Sequence, residues 1–317
     1  NEITFVSGTT NAQITMLPDG KYTLTEITSP DGYTVNEETI TFEISEGKLV
    51  SGTEVEMLDK PSEVKISKTD VAGSEVPGAV LTLTLKTSLK TSGATLENAV
   101  SDTVKFVDPT GENKKSVTWV SSDKPVVLTG IPDGVYILEE SVAPDGYTVT
   151  DSISFTVQNG RVHSLASMVS KPGESRIDTE TSTVIMVDKM SEVSVSKQDV
   201  TGAEIPGATL ILTGESDLTD IRSTTEITVD KNKVTWISGE TPTVLTGLPD
   251  GKYTLEESVA PDGYTITDAI TFEVVNGVPT TKEIVMVDEL SEIPISKQDV
   301  TGREIPGATL ILTGEKD

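Results

Sequence analysis

Apolar and polar side chains alternate in short runs between residues 191 and 290, which is typical of β-strands with one buried face. The runs read VSVSK, ATLILT, KVTWIS, GKYTLEES, ITFEVV and KEIVMVD. Pro-Asp-Gly triplets at 249–251 and 261–263 predict turns, because Pro fixes φ and Gly accepts a positive φ. About seven short strands at this spacing predict an Ig-like β-sandwich, so the fold class is all-β.

The strand pattern is one copy of an internal repeat. A first block contains the sequence SKxD followed by PGA, and a second block contains two Pro-Asp-Gly triplets. A third block is an apolar run that ends in aspartate, as in IVMVD. The three blocks predict four segments: 1–61, the C-terminal part of a domain; 62–190, a complete domain with insertions at 86–115 and 170–181; 191–290, a complete domain; and 291–317, the N-terminal part of a domain.

Two polar stretches are predicted to be loops, namely 170–181 and Leu218–Lys231. Three aromatic residues hold equivalent inward positions and are predicted to anchor the cores: Trp119, Trp236 and, in the first piece, Phe5.

The two end pieces align with the two parts of one repeat. Asn1–Leu24 aligns without a gap to Asn232–Leu255, and TGEKD at the C-terminus aligns with TGESD at 213–217. One expectation is head-to-tail self-association, in which the C-terminal piece of one chain completes the N-terminal piece of the next. The other expectation is that the sequence is a fragment of a longer array.

Composition narrows the function classes. The net charge of −27 excludes a basic surface for nucleic acid or anionic lipid, and no apolar run is long enough to insert this segment into a membrane. The chain has no cysteine and one histidine, His163, which excludes disulfides, thiolate chemistry and histidine-based triads or metal sites. We therefore expect no metal, no cofactor and no enzymatic turnover.

Three polar residues recur inside the apolar strands of each repeat, where an isolated charge is costly and must be paired or neutralised. A buried salt bridge and exposed strand ends are both open interpretations at this point. The residues are, by strand, Lys68, Lys197 and Lys297 in the first; Glu26, Glu140 and Glu257 in the middle; and Asp59, Asp188 and Asp288 in the last.

The stretches ISKQDVTGREIPGA, GKYTLEESVAPDGYTITDAITFEV and KEIVMVDEL resemble the collagen-adhesin B-type (SpaA-like) domains of Gram-positive surface proteins. They are especially similar to the domain that was split to make the SpyCatcher and SpyTag pair. The resemblance implies a prealbumin-like sandwich and an intramolecular isopeptide bond from a first-strand Lys to a last-strand Asp, promoted by a buried Glu. By position, the bonds would join Lys197 to Asp288 with Glu257, and Lys68 to Asp188 with Glu140.

In the end pieces the matching residues are Lys297, Glu26 and Asp59, which could react only between chains or with missing sequence. The resemblance predicts a self-crosslinked stalk or fibre segment of a bacterial surface adhesin, located outside the cell at the cell wall. The alternative is a module that binds a host protein or glycan, of unknown identity, through the inserted loops. Phe106 is the only aromatic residue in those insertions, which disfavours a glycan site.

Overall fold

The computed structural model describes residues 2–107, 114–165, 173–281 and 283–314. It divides into two compact units. The first unit consists of Asn1–Ser191 with Gly247–Asp250 and Asn276–Val278, and the second of Glu192–Thr246, Gly251–Val275 and Pro279–Asp317. Every regular element in the described residues is a strand or an isolated bridge, which confirms the all-β class.

The beginning of the first unit, residues 2–61, carries two small sheets. Its strands are β1 (Gly20–Leu24), β2 (Tyr33–Thr34), β3 (Ile40–Ser45), β4 (Lys48–Leu49) and β5 (Lys60–Pro61). Strands β1, β3 and β4 form one antiparallel sheet, and β2 pairs with β5. Several apolar side chains of this part are exposed, including Phe5 at 45% and Leu58 at 71%. The prediction that Phe5 anchors a core is wrong for this structure, because the strands that would cover it are absent from this part of the fold.

Residues 62–190 form a two-sheet sandwich within the first unit. Its strands are β6 (Glu63–Asp70), β7 (Val80–Ser88), β8 (Ser116–Val120), β9 (Val126–Thr129), β10 (Gly134–Val142), β11 (Ile153–Gln158), β12 (Arg161–Ser164), β13 (Arg176–Asp178) and β14 (Thr183–Asp188). One sheet has the order β12-β11-β10-β7-β8 and the other β13-β14-β6-β9. Alternate residues from both sheets fill one core, in which Trp119, Tyr136 and Phe155 are fully buried.

The segment 192–288 contains an equivalent pair of sheets. Its strands are β15 (Glu192–Asp199), β16 (Thr209–Gly214), β17 (Arg222–Ser223), β18 (Ile227–Asp230), β19 (Lys233–Ile237), β20 (Thr243–Thr246), β21 (Gly251–Val259), β22 (Ile270–Val275), β23 (Val278–Pro279) and β24 (Ile284–Asp288). The sheet orders are β17-β20-β15-β24 and β18-β19-β16-β21-β22-β23. Trp236 is buried, as the sequence predicts.

Residues 291–314 form no strand, although their sequence matches that of β15 and β16. Ile293, Ile295 and Leu312 of this segment are more than half exposed. A strand requires a neighbour to satisfy its backbone groups, and no described strand takes up that role here.

The predicted loops are only partly loops. Leu218–Lys231 contains β17 and β18, and β18 is the edge strand that pairs with β19. The predicted loop at 170–181 contains β13, which pairs with β14, while its residues 170–172 lie outside the described residues. The insertion at 86–115, described up to 107 and from 114, supplies Leu96 and Ala99 to the buried core.

In each sandwich the first and last strands are parallel neighbours. β6 pairs with β14, with Lys68 opposite Met186, and β15 pairs with β24, with Lys197 opposite Met286. Every other pairing among strands β6 to β22 is antiparallel in the described part of the chain. This parallel pair brings together the two ends of each repeat.

Candidate functional site

The first-strand lysines point into the cores. Along β6, Val64, Ile66 and Lys68 share one face because side chains alternate along a strand, and all three are buried. Lys197 lies in the same way beyond Val193 and Val195 on β15. The lysine side chains are only 2% and 1% exposed, so each complete repeat buries one lysine amino group inside its core.

The last-strand aspartates lie on the same inward face. Val184, Met186 and Asp188 alternate inward on β14, and Asp188 is 0% exposed. Since Met186 is directly opposite Lys68 in the parallel pair, Asp188 is the next inward side chain along the neighbouring strand. Lys68 Nζ donates a short hydrogen bond to Asp188 Oδ1.

The glutamates come from the facing sheet. Glu140 follows Tyr136 and Leu138 on the inward face of β10, and its Oε1 lies 3.0 Å from Lys68 Nζ. Its Oε2 accepts a hydrogen bond of 2.8 Å from the Thr150 backbone N–H, which fixes the carboxyl group. The lysine therefore lies between two carboxyl groups, one from each sheet.

The second unit repeats this geometry residue by residue. Lys197 Nζ donates a short hydrogen bond to Asp288 Oδ1 and lies 3.2 Å from Glu257 Oε1. Glu257 Oε2 accepts a 2.9 Å hydrogen bond from Thr267 N–H. The adjacent Glu256 is exposed, so Glu257 is the glutamate that reaches the lysine.

Each triad contains more buried carboxyl oxygens than there are hydrogen-bond donors and positive charges around them to stabilise two ionised carboxylates. Burial raises the pKa of Asp188 to about 7 against the opposing effect of Lys68, and burial likewise raises the pKa of Glu257. Asp188 Oδ2 and Asp288 Oδ2 are buried and have no hydrogen-bond partner in the described part of the chain. Burial of these groups therefore favours a proton on one carboxyl of each triad.

The candidate residues of the end pieces are in different surroundings. Lys297 is exposed, and Asp59 is half-buried in a segment, residues 54–59, that forms no strand. Glu26 accepts a 2.6 Å hydrogen bond from Asn36 N–H, which corresponds to the contacts that fix Glu140 and Glu257. The expectation of a third apolar strand ending at Asp59 is wrong for this structure, because its parallel partner is missing here.

One set of contacts was not foreseen from the sequence. Glu75 and Glu204 each bind the backbone N–H of the buried lysine of their repeat, at 3.1 Å in both cases. The sequence does contain a signal for this contact, because a glutamate lies seven positions after each lysine. Glu304 has the same spacing from Lys297.

The described residues contain no group of three or more His, Cys, Asp or Glu side chains arranged to hold a metal ion. No helix in the described part of the chain has the length and apolar character needed to span a bilayer.

The fold and the site together define a class of protein: tandem all-β domains that each bury one lysine between two carboxyl side chains. A family model described as the SpaA prealbumin-like fold domain matches residues 2–59, 62–171 and 191–289. The chain belongs to this family, as its sequence motifs predict.

Three solved structures are similar to parts of the chain. The Bacillus anthracis TIE protein is 22% identical, with a TM-score of 0.37, over 87% of this chain and 43% of that chain. A C-terminal fragment of the pilus adhesin SpaC from Lactobacillus rhamnosus GG is 15% identical, with a TM-score of 0.38, over 74% of this chain and 100% of that chain. The Streptococcal ancillary pilin is 19% identical, with a TM-score of 0.26, over 87% and 76%.

This chain therefore spans less than half the length of the Bacillus anthracis protein. No curated protein sequence matches the chain.

Proposed function

We propose that the chain is a structural stalk or fibre segment of a bacterial surface adhesin or pilus, locked by isopeptide bonds from Lys68 to Asp188 and from Lys197 to Asp288. The supporting observation is the buried Lys–Asp contact with a glutamate from the facing sheet, present in both complete repeats. Membership of the SpaA prealbumin-like family and the pilin and adhesin names of similar structures support an extracellular, cell-wall location.

The chemistry is a condensation within each core. The lysine amine, in its neutral form, attacks Cγ of the protonated aspartic acid, forming the Nζ–Cγ bond. The glutamic acid donates a proton to the departing hydroxyl and receives one from Nζ, so the Cγ–O bond breaks and one water leaves. Fixed proximity supplies the effective concentration, and the buried carboxyl dipoles polarise the reacting carbonyl. Each site reacts once, so the protein is not an enzyme.

The inserted segment supports a structural role over ligand binding. Leu96 and Ala99 are buried in the core, and Phe106 packs against Trp119 with ring centroids 6.4 Å apart. Side chains used in this way are not available to recognise a host protein or glycan.

The end pieces extend the proposal to chain joining. Lys297 is exposed, while Glu26 already makes the backbone contact seen in both complete triads. We propose that Lys297 of one chain reacts with Asp59 of the next, with Glu26 as the proton-transfer group. The exposed apolar side chains of both pieces, such as Phe5, Ile293 and Leu312, would become buried in that joint.

The test is intact-mass measurement and a denaturing gel of the purified full chain. Wild type should lose about one water per complete repeat, and Lys197→Ala should lose about one fewer.

A ladder of linked chains should appear on the gel and disappear in Lys297→Ala. Glu257→Gln should block or greatly slow the reaction at its own site only. An unmodified wild-type mass contradicts the crosslinks, and a gel with monomer alone contradicts chain joining.

A further inference from the structure

A carboxylate outside the triad contacts the lysine-bearing segment in all three copies of that segment. In the 62–190 repeat, Glu75 Oε2 accepts the Lys68 N–H at 3.1 Å and Oε1 accepts a short hydrogen bond from the Ser67 hydroxyl. In the second unit Glu204 does the same for Lys197 and Ser196. Ser67 and Ser196 are each 8% exposed, so these contacts lie at the edge of the core.

The contact replaces a missing strand. β6 pairs with β9 only from Glu63 to Ile66, and β15 pairs with β20 only as far as Val195. Beyond those points the lysine N–H has no strand neighbour on that side and would be left without an acceptor. The glutamate supplies the acceptor, while the next residue, Val76 or Ile205, donates its N–H to the lysine carbonyl at 2.8 Å. The lysine backbone is thus held on both of its polar groups.

The same contacts form where no sandwich surrounds them. In residues 291–314, Glu304 accepts the Lys297 N–H at 3.1 Å and a short hydrogen bond from the Ser296 hydroxyl. The Ser296 hydroxyl and the Gln298 side-chain amide lower the pKa of Glu304, so this carboxylate is ionised at neutral pH. The turn is closed by Asp299, which accepts the N–H groups of Thr301 and Arg303. The motif is therefore local and does not need the rest of the domain.

We propose that Glu75, Glu204 and Glu304 are positioning residues that fix the backbone of the reactive lysine before its core closes. This inference rests on the proposed crosslinking function. The glutamates do not touch the reacting Nζ or Cγ atoms. They set the point from which the lysine side chain reaches the aspartate, and misplacement of a reacting group by about 1 Å can cost about 100-fold in rate.

The experiment follows formation of the Lys197–Asp288 bond in the full chain made by cell-free synthesis. Samples are quenched in denaturant at timed intervals, and the linked peptide is quantified by mass spectrometry. Protease resistance of parallel samples reports folding. Glu204→Ala is compared with Asp199→Ala, the matched control, because Asp199 closes the same turn through Thr201 and Ala203 without contacting Lys197.

We expect Glu204→Ala to slow bond formation about tenfold or more while protease resistance develops at the wild-type rate. The pH profile of the rate should keep its shape, since the glutamate takes no part in proton transfer. Glu204→Gln should recover part of the rate, because its carbonyl oxygen can accept one of the two hydrogen bonds.

Three outcomes overturn the inference. They are a wild-type rate in Glu204→Ala, a loss no larger than that in Asp199→Ala, and a parallel delay in protease resistance. If wild type itself forms no Lys197–Asp288 peptide, the proposed function fails as well, so the two failures are distinguishable.

Discussion

At the scale of single residues, the buried triads combine groups that are each unfavourable alone. A lone ammonium or carboxylate in an apolar core is costly, and removing one partner of a buried pair leaves the other uncompensated. The triad avoids this cost if one carboxyl holds a proton, which agrees with the raised pKa values of Asp188 and Glu257. Neutral groups are also the forms that the proposed condensation needs, so the same burial would serve both stability and that reaction.

This arrangement predicts that stability depends on pH in a variant that lacks the lysine needed for the proposed bond. Lys68→Met removes the amino group that lowers the pKa of Asp188. The pKa of Asp188 in the folded state therefore stays at or above about 7, whereas the ordinary value for an aspartate is 3.8. A carboxyl group whose pKa is higher in the folded than in the unfolded state contributes stability to the folded state. This contribution is fully present at a pH below the unfolded pKa, and it is lost as the pH rises through the folded pKa. The unfolding free energy of the 62–190 repeat should fall between pH 5 and 7 by up to about 1.4 kcal/mol per unit.

Trp119 fluorescence during denaturant unfolding measures this in a Trp236→Phe background, because the chain has 2 tryptophans, one in each complete repeat. The control is Lys68→Met combined with Asp188→Asn, in which the contribution of Asp188 disappears. Equal pH slopes in the two variants would contradict the assignment of the raised pKa to Asp188.

At the scale of strands and turns, the sequence predicted most strands of the 191–290 repeat, because one buried face leaves a clear alternation. It missed β17 and β18, which lie at sheet edges where polar Thr and Ser are tolerated. Parallel pairing of the first and last strands could not be read from the sequence, since it depends on contacts between distant residues. For the same reason the strand pattern before Asp59 was misleading without its partner.

The triad residues were predictable for a related reason. Lys197, Glu257 and Asp288 stand at inward positions of alternating strands, so each is conspicuous among apolar neighbours. Glu204 is not conspicuous, because it lies in a polar turn where a glutamate is ordinary.

Lys90, in the insertion of the 62–190 repeat, ties that repeat to the first piece of the chain. Its Nζ lies 2.6 Å from Asp133 Oδ2 and donates to Ser29 O at 2.7 Å. Asp133 also accepts the N–H groups of Asn159 and Gly160, so its carboxyl group is fixed by two backbone contacts as well as by Lys90.

Lys90→Met should lower the free energy of local unfolding by about 1–2 kcal/mol, because the buried Asp133 loses its cationic partner. The loss is limited because the Lys90 side chain is about a quarter exposed, so solvent already screens the ion pair. Hydrogen exchange at Asn159 and Gly160 should accelerate about tenfold. The control is Lys114→Met, which removes the exposed Lys114–Glu97 pair and should leave both amides unchanged. Unchanged exchange in Lys90→Met would show that the ion pair does not hold this joint.

At the scale of the whole molecule, the proposed bonds remove most of each repeat from the path of tension. Lys197 and Asp288 are 91 residues apart in the chain, and Lys68 and Asp188 are 120 apart. Force that enters at the first strand would leave through the amide to the last strand. Residues between the two linked positions would carry no load.

Single-molecule pulling on the two ends of the chain tests this. Wild type should show no unfolding step from either complete repeat. Lys197→Ala should gain a step of roughly 300 Å, from 91 residues at about 3.3–3.6 Å each. The exposed Lys233→Ala serves as the control and should behave as wild type. A 300 Å step in wild type would exclude a closed bond at that site.

The parallel pairing of β15 with β24 has a mechanical consequence before any bond forms. The chain enters at the N-terminal end of β15 and leaves at the C-terminal end of β24, and these are opposite ends of a parallel pair. A pull along the chain therefore slides the two strands past each other in shear and loads their hydrogen bonds together, rather than unzipping them one by one. A newly folded repeat would resist stretching while its lysine and aspartate remain unjoined, and the two side chains would stay aligned for the proposed reaction.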